Sequence, residues 1–327
     1  MKCKKILTAL LAAACTMSGC HGDLDIMQDN KLSASNMWID ESDAETATYG
    51  IYLYMRDALK SVHDIYLCWG EFRNGLWGAG TNKTLSGVDQ TQVRTSTMSS
   101  SNAYADWSVM YKTVNQANLI LKHVPEMGIS ESVRNFSLGN AYFSRAWCYF
   151  WIARIWGDAP LALTGYESTA GDLYLPRAPK AEIFARIESD LTEAERYVTD
   201  NSDKAVATPA AVQMLKADYA LWMYRVAGGG SSYLTMAEKA IEALNLSASR
   251  LESDYAQVFS SANKLNKEVI FAVHQANGEA VNGPGYYLGW NSNYVEAAYQ
   301  NNPVPITGGN QWWWYTCLLY TSDAADE

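Results

Sequence analysis

Residues 130–160, SESVRNFSLGNAYFSRAWCYFWIARIWGDAP, form the segment that most strongly determines how this chain folds. Apolar side chains recur through it at helical spacing and cover a broad face rather than one narrow stripe. Gly157 ends the pattern. We therefore predict a helix from about Ser130 to Trp156 that is buried on most of its sides. The apolar residues of this face are Leu138, Tyr142, Ala146, Tyr149, Phe150, Ile152, Ala153 and Trp156.

One charged residue, Arg145, lies within this apolar stretch. A buried guanidinium needs an ionised partner, because removing an isolated charge from water is costly. We expect Arg145 to pair with a buried carboxylate such as Asp158 or Asp190, and to have a structural role.

Helical signals continue on both sides of the central segment. Ser42-Asp43-Ala44-Glu45 has the form of a capping box, and Thr208-Pro209 places a capping hydroxyl before a proline at the first helical position. Gly228-Gly229-Gly230 can close the helix that follows. Six helices are predicted. The first begins at Ser42, the second spans about Asn102–Val124 and the third about Ser130–Trp156, the fourth begins at Pro179, the fifth begins at Pro209, and the sixth spans about Tyr233–Leu246.

The remaining segments lack helical periodicity. Cys68–Thr97 and residues 275–315 are predicted to be long irregular loops, and Val269–Val273 is a short run with the character of a strand. Long helices joined as antiparallel pairs are typical of tetratricopeptide-like hairpins, and Leu138-Gly139-x-x-Tyr142 matches a fragment of that repeat's consensus. The predicted fold class is therefore all-α, with tetratricopeptide-like helix pairs and long irregular loops.

Composition excludes several classes of protein. Hydrophobic residues make up 48% of the 327, which is enough to bury a sizeable core and excludes a disordered chain. The formal net charge of −10 argues against a protein that binds the phosphate backbone of nucleic acids. The chain has 12 Trp and 21 Tyr against 7 Phe, so most of its rings carry a polar group and suit half-exposed surfaces.

The two ends of the chain differ from its middle. Residues 1–19 combine lysines with a short apolar run, which is typical of a secretory signal peptide. Met17-Ser18-Gly19-Cys20 is similar to a bacterial lipobox, in which Cys20 would become the lipidated first residue, and an ordinary cleaved signal is the alternative. Residues 317–327 (CLLYTSDAADE) resemble a translated sequencing adaptor, so we expect a non-native tail there, with a genuine tail as the alternative. Residues 20–316 are expected to form the helical domain, truncated at its C-terminal end.

Six segments, in order along the chain, resemble the SusD/RagB family of nutrient-binding outer-membrane lipoproteins of Bacteroidetes. The most specific is Ser144-Arg145-Ala146-x-x-Tyr149-Phe150 followed by Trp156-Gly157-Asp158-Ala159-Pro160. The resemblance covers about residues 20–315. The other segments are Asp43-Ala44-x-x-Ala47-x-x-Gly50-Ile51-Tyr52, Tyr111-Lys112-x-Val114-Asn115-x-Ala117-Asn118, Pro176-Arg177 with Ile187-x-x-Asp190-Leu191-x-x-Ala194, Thr208-Pro209-Ala210-Ala211, and Glu268-x-Ile270-Phe271.

This resemblance implies an all-α fold with tetratricopeptide-like pairs and no catalytic activity. It implies that the protein binds a glycan or another nutrient at the cell surface, held to the outer membrane by a lipid anchor. It also implies a partner, a SusC-like TonB-dependent transporter on which the lipoprotein sits as a lid. Family members are longer than this chain, so part of the ligand site is expected to lie outside it.

Candidate ligand-binding residues are sought in the irregular segments. Sugars present apolar C–H faces bordered by hydroxyl groups, which aromatic rings and Arg, Asn or Gln side chains can bind. Packing of the same rings onto the helices is the alternative. The candidates are Trp69, Arg73, Asn74 and Trp77 in one loop, and Tyr286, Tyr287 and Trp290 in the other. Core packing is the better interpretation for the tryptophans within predicted helices, namely Trp107, Trp147, Trp151, Trp156 and Trp222.

Patterns that indicate catalysis are weak. The histidines are scattered without the spacing of a metal site, and no nucleophile motif or phosphate-binding loop occurs in the sequence. We therefore expect no enzymatic activity, no cofactor and no metal ion. Two alternatives to glycan binding stay open. One is a helical scaffold that binds only proteins, and the other is an all-α glycoside hydrolase with Glu71 as its candidate acid.

Overall fold

The computed structural model describes residues 37–60, 65–70, 88–169, 173–247 and 250–275. The chain divides into two compact units, Met1–Ile39 and Asp40–Glu327, and every helix and strand named below belongs to the second. In its described part, this second unit is mostly helical, which confirms the predicted fold class.

The described elements are helices of four to 26 residues, short 3-10 turns and one pair of two-residue strands. No helix among them is both long and apolar enough to cross a bilayer. The helices are α1 (Glu41–Lys60), α2 (Ile65–Gly70), α3 (Val88–Thr95), α4 (Ser108–His123), α5 (Glu131–Trp156), α6 (Lys180–Tyr197), α7 (Pro209–Arg225), α8 (Ser232–Ala243) and α9 (Tyr255–Val258). Short 3-10 turns cover Ala103–Ala105, Val124–Glu126 and Ser261–Asn263. Strands β1 (Ala159–Pro160) and β2 (Arg177–Ala178) pair antiparallel, with Ala159 opposite Ala178.

Helix α5 is the centre of the fold. It begins one residue after the predicted Ser130 and ends at Trp156, where Gly157 adopts a φ of +73°. Helices α4 and α6 pack along it, and α1 covers a further part of its surface. Large side chains such as Phe143 and Tyr149 are fully buried on it. The prediction of a helix buried on most sides is confirmed.

The start of α1 differs from the prediction. Asp40 and Asp43 cap each other: the amide of Asp40 donates to Asp43 Oδ2 (3.2 Å), and the amide of Asp43 donates to Asp40 Oδ1 (3.1 Å). The predicted capping box at Ser42–Glu45 was therefore wrong by two residues. Aspartate caps a helix about as well as serine, so the sequence offers two overlapping boxes and spacing alone does not choose between them.

The starts of α6 and α7 lie close to the prediction. Thr208 Oγ1 accepts a hydrogen bond from a backbone amide of the first turn of α7 (3.1 Å), and Pro209 is the first helical residue. Helix α6 begins at Lys180, one residue after the predicted Pro179, and the Lys180 amide donates to Asp158 Oδ1 (2.8 Å). A carboxylate from outside the helix thus satisfies one of its free amides.

Two predictions of non-helical structure were wrong. Cys68–Thr97, predicted as one irregular loop, contains the end of α2 and all of α3. Val269–Val273 forms no strand in the described chain, although the Ala272 amide donates to Lys204 O at 3.0 Å. Apolar runs of this length fit several structures, because periodicity needs a longer window to become decisive.

The contact between α5 and the end of α6 explains the tetratricopeptide-like sequence fragment. A Cβ atom at Gly139 would lie 2.7 Å from Val198 Cγ2 and 3.0 Å from Val198 N, so only glycine permits this approach. Beside it, the rings of Tyr142 and Tyr197 stack with centroids 6.0 Å apart and planes 6° apart. The glycine and the tyrosine of the fragment both serve the contact between two paired helices, and α7 packs on α8 as a further pair.

Candidate functional site

A buried ion pair joins α4, α5 and α6. Arg145 Nε and Nη2 donate to the two carboxylate oxygens of Asp190 at 2.8 and 2.7 Å. Arg145 Nη1 donates to Asn118 Oδ1 at 2.7 Å, and Arg186 lies 2.8 Å from the same carboxylate. The predicted structural role of Arg145 is confirmed, with Asp190 as its partner. The other candidate, Asp158, instead caps α6.

Two asparagines of α4 hold the chain that follows β1. Asn118 Nδ2 donates to Ala162 O at 3.0 Å, and Tyr149 OH donates to the same carbonyl at 2.8 Å. One turn earlier, Asn115 donates to Tyr166 O (3.0 Å) and accepts from Tyr166 N (2.7 Å). Side-chain amides thus satisfy backbone groups that have no ladder partner here, which gives the asparagines of the Tyr111–Asn118 motif a structural explanation.

Four indole rings meet where α2 ends, and we call this cluster the tryptophan platform: Trp69, Trp107, Trp151 and Trp156. The Trp69 centroid lies 5.3 Å from that of Trp156 and 5.9 Å from that of Trp151. Trp107 lies 6.2 Å from Trp156. Their edge-to-face and tilted geometries are those that aromatic pairs prefer. The platform packs against the main apolar core and is itself only partly buried.

Backbone carbonyls hold the platform in place. Trp69 Nε1 donates to Tyr104 O at 2.8 Å, and Trp156 Nε1 donates to Ala105 O at 3.1 Å. The Arg177 guanidinium carbon lies 4.9 Å from a Trp107 ring centroid. The structure therefore gives Trp69 a packing role, which was the alternative interpretation of its sequence. Contact between Trp69 and a ligand stays a prediction.

The platform lies at the end of α2, because Trp69 is followed by Gly70, the last residue of that helix. The other predicted site residues lie outside the described residues, so the structure neither brings them together nor separates them. They are Arg73, Asn74, Trp77, Tyr286, Tyr287 and Trp290, with the lipidation candidate Cys20.

The tryptophans within helices behave as predicted. Trp222 lies 5.5 Å from Phe184 and 6.1 Å from Phe150 between ring centroids, and Trp147 lies 5.6 Å from Trp151. Together with the platform rings of α5 and Trp107, they pack against the main apolar core in partly buried positions. Core packing is confirmed for all the helical tryptophans that the sequence singled out. Trp107 itself directly precedes α4.

Several clefts among the described residues were missed by the sequence reasoning. One of about 480 Å³ has Tyr49 and Tyr197 in its wall, and one of about 580 Å³ lies between α1 and residues 264–275. A third, of about 380 Å³, is lined by Lys204 and Arg250 and is called the basic cleft below. Each collects side chains from segments far apart in the sequence, so no local motif indicates it.

Side chains that could bind a metal ion or act as a thiol nucleophile were sought among the described residues. In the described ranges, no three His, Cys, Asp or Glu side chains lie close enough to hold a metal ion. Cys68 and Cys148 are buried thiols, and burial raises the pKa of Cys148 well above its usual value. A thiol with a raised pKa is a poor nucleophile, because the thiolate is the reactive form.

The comparisons with known proteins agree with one another. A SusD-like family model described as "starch-binding associating with outer membrane" matches residues 79–222. SusD-like protein P38 of Formosa agariphila is 26% identical over 190 residues, which cover 58% of this chain. B. fragilis NanU is 29% identical and superposes with a TM-score of 0.66 over 79% of this chain. A SusD superfamily protein from Bacteroides fragilis, 26% identical, superposes with a TM-score of 0.70 over 87% of it.

The chain is similar to SusD-like proteins, and residues 79–222 match their family model. The resemblance seen in the sequence is therefore confirmed. The matched residues 79–222 run from before α3 into α7, so they include the ion pair between Arg145 and Asp190 and the platform rings of α5. A structure described as containing xylogluco-oligosaccharide superposes with a TM-score of 0.62 over 73% of this chain and 48% of its own, but at 22% identity it shows the fold alone.

This SusD-like chain matches only part of each relative. Its aligned residues span 36% of the Formosa agariphila protein, 52% of NanU and 61% of the second Bacteroides fragilis structure. The chain thus spans about a third of the curated relative and somewhat more than half of the two structures. The activity and partners of the whole protein are accordingly matters for proposal.

Proposed function

We propose that this chain is part of a cell-surface protein that binds glycans as nutrients and catalyses no reaction on them. The observation that carries the proposal is the match of residues 79–222 to a family model described as starch-binding and associating with the outer membrane. The neighbour solved with xylogluco-oligosaccharide supports the proposal at the level of the fold, since a protein of this fold was obtained with an oligosaccharide.

The proposed contact surface begins at the tryptophan platform. Residues 71–87 follow α2 in the sequence, and near the end of that helix the ring and N–H of Trp69 are held by packing and a hydrogen bond. A rigid base lowers the entropy lost when a loop binds a ligand. On this base, Trp77 would cover the apolar face of a sugar, while Arg73 and Asn74 would bind its hydroxyl groups. Tyr286, Tyr287 and Trp290 are the second proposed contact group.

The proposed protein is anchored at Cys20 and works with a partner. The lipobox-like Met17–Cys20 supports lipidation, which would hold the protein to the outer membrane. We propose that it delivers its ligand to a SusC-like TonB-dependent transporter, as its resemblance to the family suggests.

The test uses the full-length lipoprotein sequence without its signal, in affinity gels and calorimetry against a panel of neutral and acidic polysaccharides. We expect at least one polysaccharide to bind, and Trp77→Ala to weaken that binding by at least about tenfold through loss of a stacked ring. Tyr255→Ala serves as the matched control. It removes a ring on α9 that is 79% exposed and far in the sequence from the platform.

Three results would contradict the proposal. Failure to bind any polysaccharide, combined with co-purification of the transporter, would favour a scaffold that binds only proteins. Release of reducing sugars from a bound glycan, abolished by Glu71→Gln, would favour a glycoside hydrolase. Equal losses in Trp77→Ala and Tyr255→Ala would move the site away from the first loop.

A further inference from the structure

The basic cleft combines positive charge with an apolar wall. Among the described residues that line it, Lys204 and Arg250 carry charge, and no carboxylate does. Leu244, Val269 and Ile270 supply apolar surface, and the first turn of α7 forms another side. The cleft measures about 380 Å³, within the range of pockets that hold small ligands. This arrangement is unexpected in a chain whose net charge is −10.

Backbone carbonyls, rather than acidic side chains, hold the two cations. Lys204 Nζ donates to Asn266 O at 2.6 Å, and Arg250 Nη1 donates to Leu244 O at 3.1 Å. In the described part of the chain, neither forms an ion pair with a carboxylate within 4.0 Å. A carbonyl positions a cation without cancelling its charge. An ammonium has three donors and a guanidinium five, so donors are left over on both.

The two cations are close enough to act on each other. Burial lowers the pKa of Lys204, the positive charge of Arg250 lowers it further, and Glu252 partly opposes both. Glu252 is turned toward other groups: its Oε1 accepts from Lys267 N (3.3 Å) and Asn263 Nδ2 (3.5 Å). The charge of the cleft is therefore positive and only partly compensated.

We propose that the basic cleft binds the anionic group of a small acidic ligand, a carboxylate or sulfate group carried by a single sugar unit. The guanidinium of Arg250 and the ammonium of Lys204 bind the anion through charge-assisted hydrogen bonds, and the apolar wall covers a C–H face of the ring. The amino end of α7, whose dipole favours negative charge, adds to the attraction. This site is separate in sequence from the first-loop site. The sugar that carries the anion rests on the proposed glycan function, whereas anion binding itself rests on the cleft alone.

The experiment titrates the full chain with sodium glucuronate, sodium sulfate and glucose at matched low ionic strength, with sodium chloride as the ionic control. We expect saturable binding of glucuronate, sulfate or both, measured by calorimetry, and none of glucose. Arg250→Gln and Lys204→Met each remove one charge while keeping much of the side-chain stem. Each is expected to weaken anion binding by at least about tenfold, because each variant loses charge-assisted hydrogen bonds to the anion.

Matched variants separate binding from folding. Lys239→Gln removes one positive charge from the exposed face of the adjacent α8 and should leave anion binding unchanged. Lys204→Arg keeps the charge and should retain binding even if Lys204→Met is destabilised, which thermal unfolding would reveal. Absence of saturable binding of either anion to the unaltered protein overturns the proposal. Equal losses in Lys239→Gln and Arg250→Gln also overturn it. A negative polysaccharide panel does not bear on it, because the probes are free anions.

Discussion

Arg145 brings a charge into an otherwise apolar part of α5, and Asp190 and Asn118 bind its guanidinium directly. Its side chain is 6% exposed and that of Asp190 is 0% exposed, so water contributes little to either. The two parallel hydrogen bonds between them form the bidentate geometry that suits guanidinium and carboxylate best. Asn118 Oδ1 accepts a hydrogen bond from Arg145 Nη1, and Asn118 Nδ2 donates one to Ala162 O in the chain after β1. The pair therefore fixes three helices and one connection relative to each other.

Replacing Arg145 by methionine should destabilise the protein by about 3–5 kcal/mol, because removal of one partner leaves the other charge buried and poorly compensated. Arg186 still contacts Asp190 at 2.8 Å, which favours the lower end of that range. Chemical denaturation with urea, monitored by circular dichroism, measures the difference.

The control for this prediction is an exposed pair of the same chemistry. Arg196 lies 3.6 Å from Glu193 and its side chain is 68% exposed, so Arg196→Met should change the free energy of unfolding by at most about 0.5 kcal/mol. The double variant Arg145→Met with Asp190→Leu should recover part of the loss, since apolar replacements of a buried pair are often neutral. If Arg145→Met cost no more than Arg196→Met, the pair would not have the role described.

Paired helices depend on how closely their backbones approach, and glycine sets that distance in α5. At Gly139 the nearest atoms to an added Cβ include the backbone nitrogen of Val198, which cannot move without moving the end of α6. At Gly50 in α1 an added Cβ would lie 3.7 Å from Gln116 Nε2, an ordinary contact with a flexible side chain. Two helical glycines thus have opposite sensitivities to the same substitution.

Gly139→Ala should therefore destabilise the protein by about 1–3 kcal/mol, the usual range for overpacking, despite the better helix propensity of alanine. Gly50→Ala should be neutral or stabilise it by up to about 1 kcal/mol. Both are measured as shifts in the urea midpoint. The double variant Gly139→Ala with Val198→Ala removes the Cγ2 atom and should recover part of the loss. A stabilising Gly139→Ala would show that α6 is free to move away.

Long helices were predictable from the sequence, whereas the exact start of α1 and the short elements were not. The face of α5 is so broadly apolar that no other element fits it, and Thr208-Pro209 leaves one choice for the start of α7. At α1, the sequence allows two overlapping capping boxes. The hydrogen bond from the Asp40 amide to Asp43 selects the earlier one, and apolar periodicity does not predict that bond. Short segments such as α3 and Val269–Val273 take their conformation from what they pack against, which the local sequence does not specify.

Sites formed by residues from several segments were likewise not predictable from the local sequence. Trp69 was proposed from the sequence as a ligand contact, whereas the fold shows its packing against platform residues as distant as Trp156. The basic cleft joins Lys204, Arg250 and the residues around Ile270, none of which forms a motif. Sites built from one loop can be proposed from sequence, while sites built from several segments need the assembled structure.

Carboxylates form hydrogen bonds between segments that are distant in the sequence, and these bonds lower the pKa values of the carboxyl groups. Glu41 at the start of α1 accepts from the Ser130 amide before α5 (2.8 Å), and hydrogen bonds from Ser130 lower the pKa of Glu41. Lys122, with a smaller contribution from His123, lowers the pKa of Glu167, although burial partly opposes this. Each of these interactions forms only in the folded state, because the two partners are far apart in the sequence.

These shifts predict that the protein loses stability in acid. Burial raises the pKa of Glu195, but its hydrogen bonds from Lys216 and Gln213 outweigh that effect and leave the pKa below its ordinary value of 4.5. A carboxyl group with a lowered pKa in the folded state binds fewer protons there than in the unfolded state, so its contribution is present above pH 4.5 and disappears as the pH falls through the folded-state pKa. Glu41 and Glu167 act in the same direction. The urea midpoint should therefore fall when the pH is lowered from 6 through this range, and Glu195→Gln should make the decline shallower. A midpoint that stayed constant or rose on acidification would contradict the assignment of these groups as ties between segments.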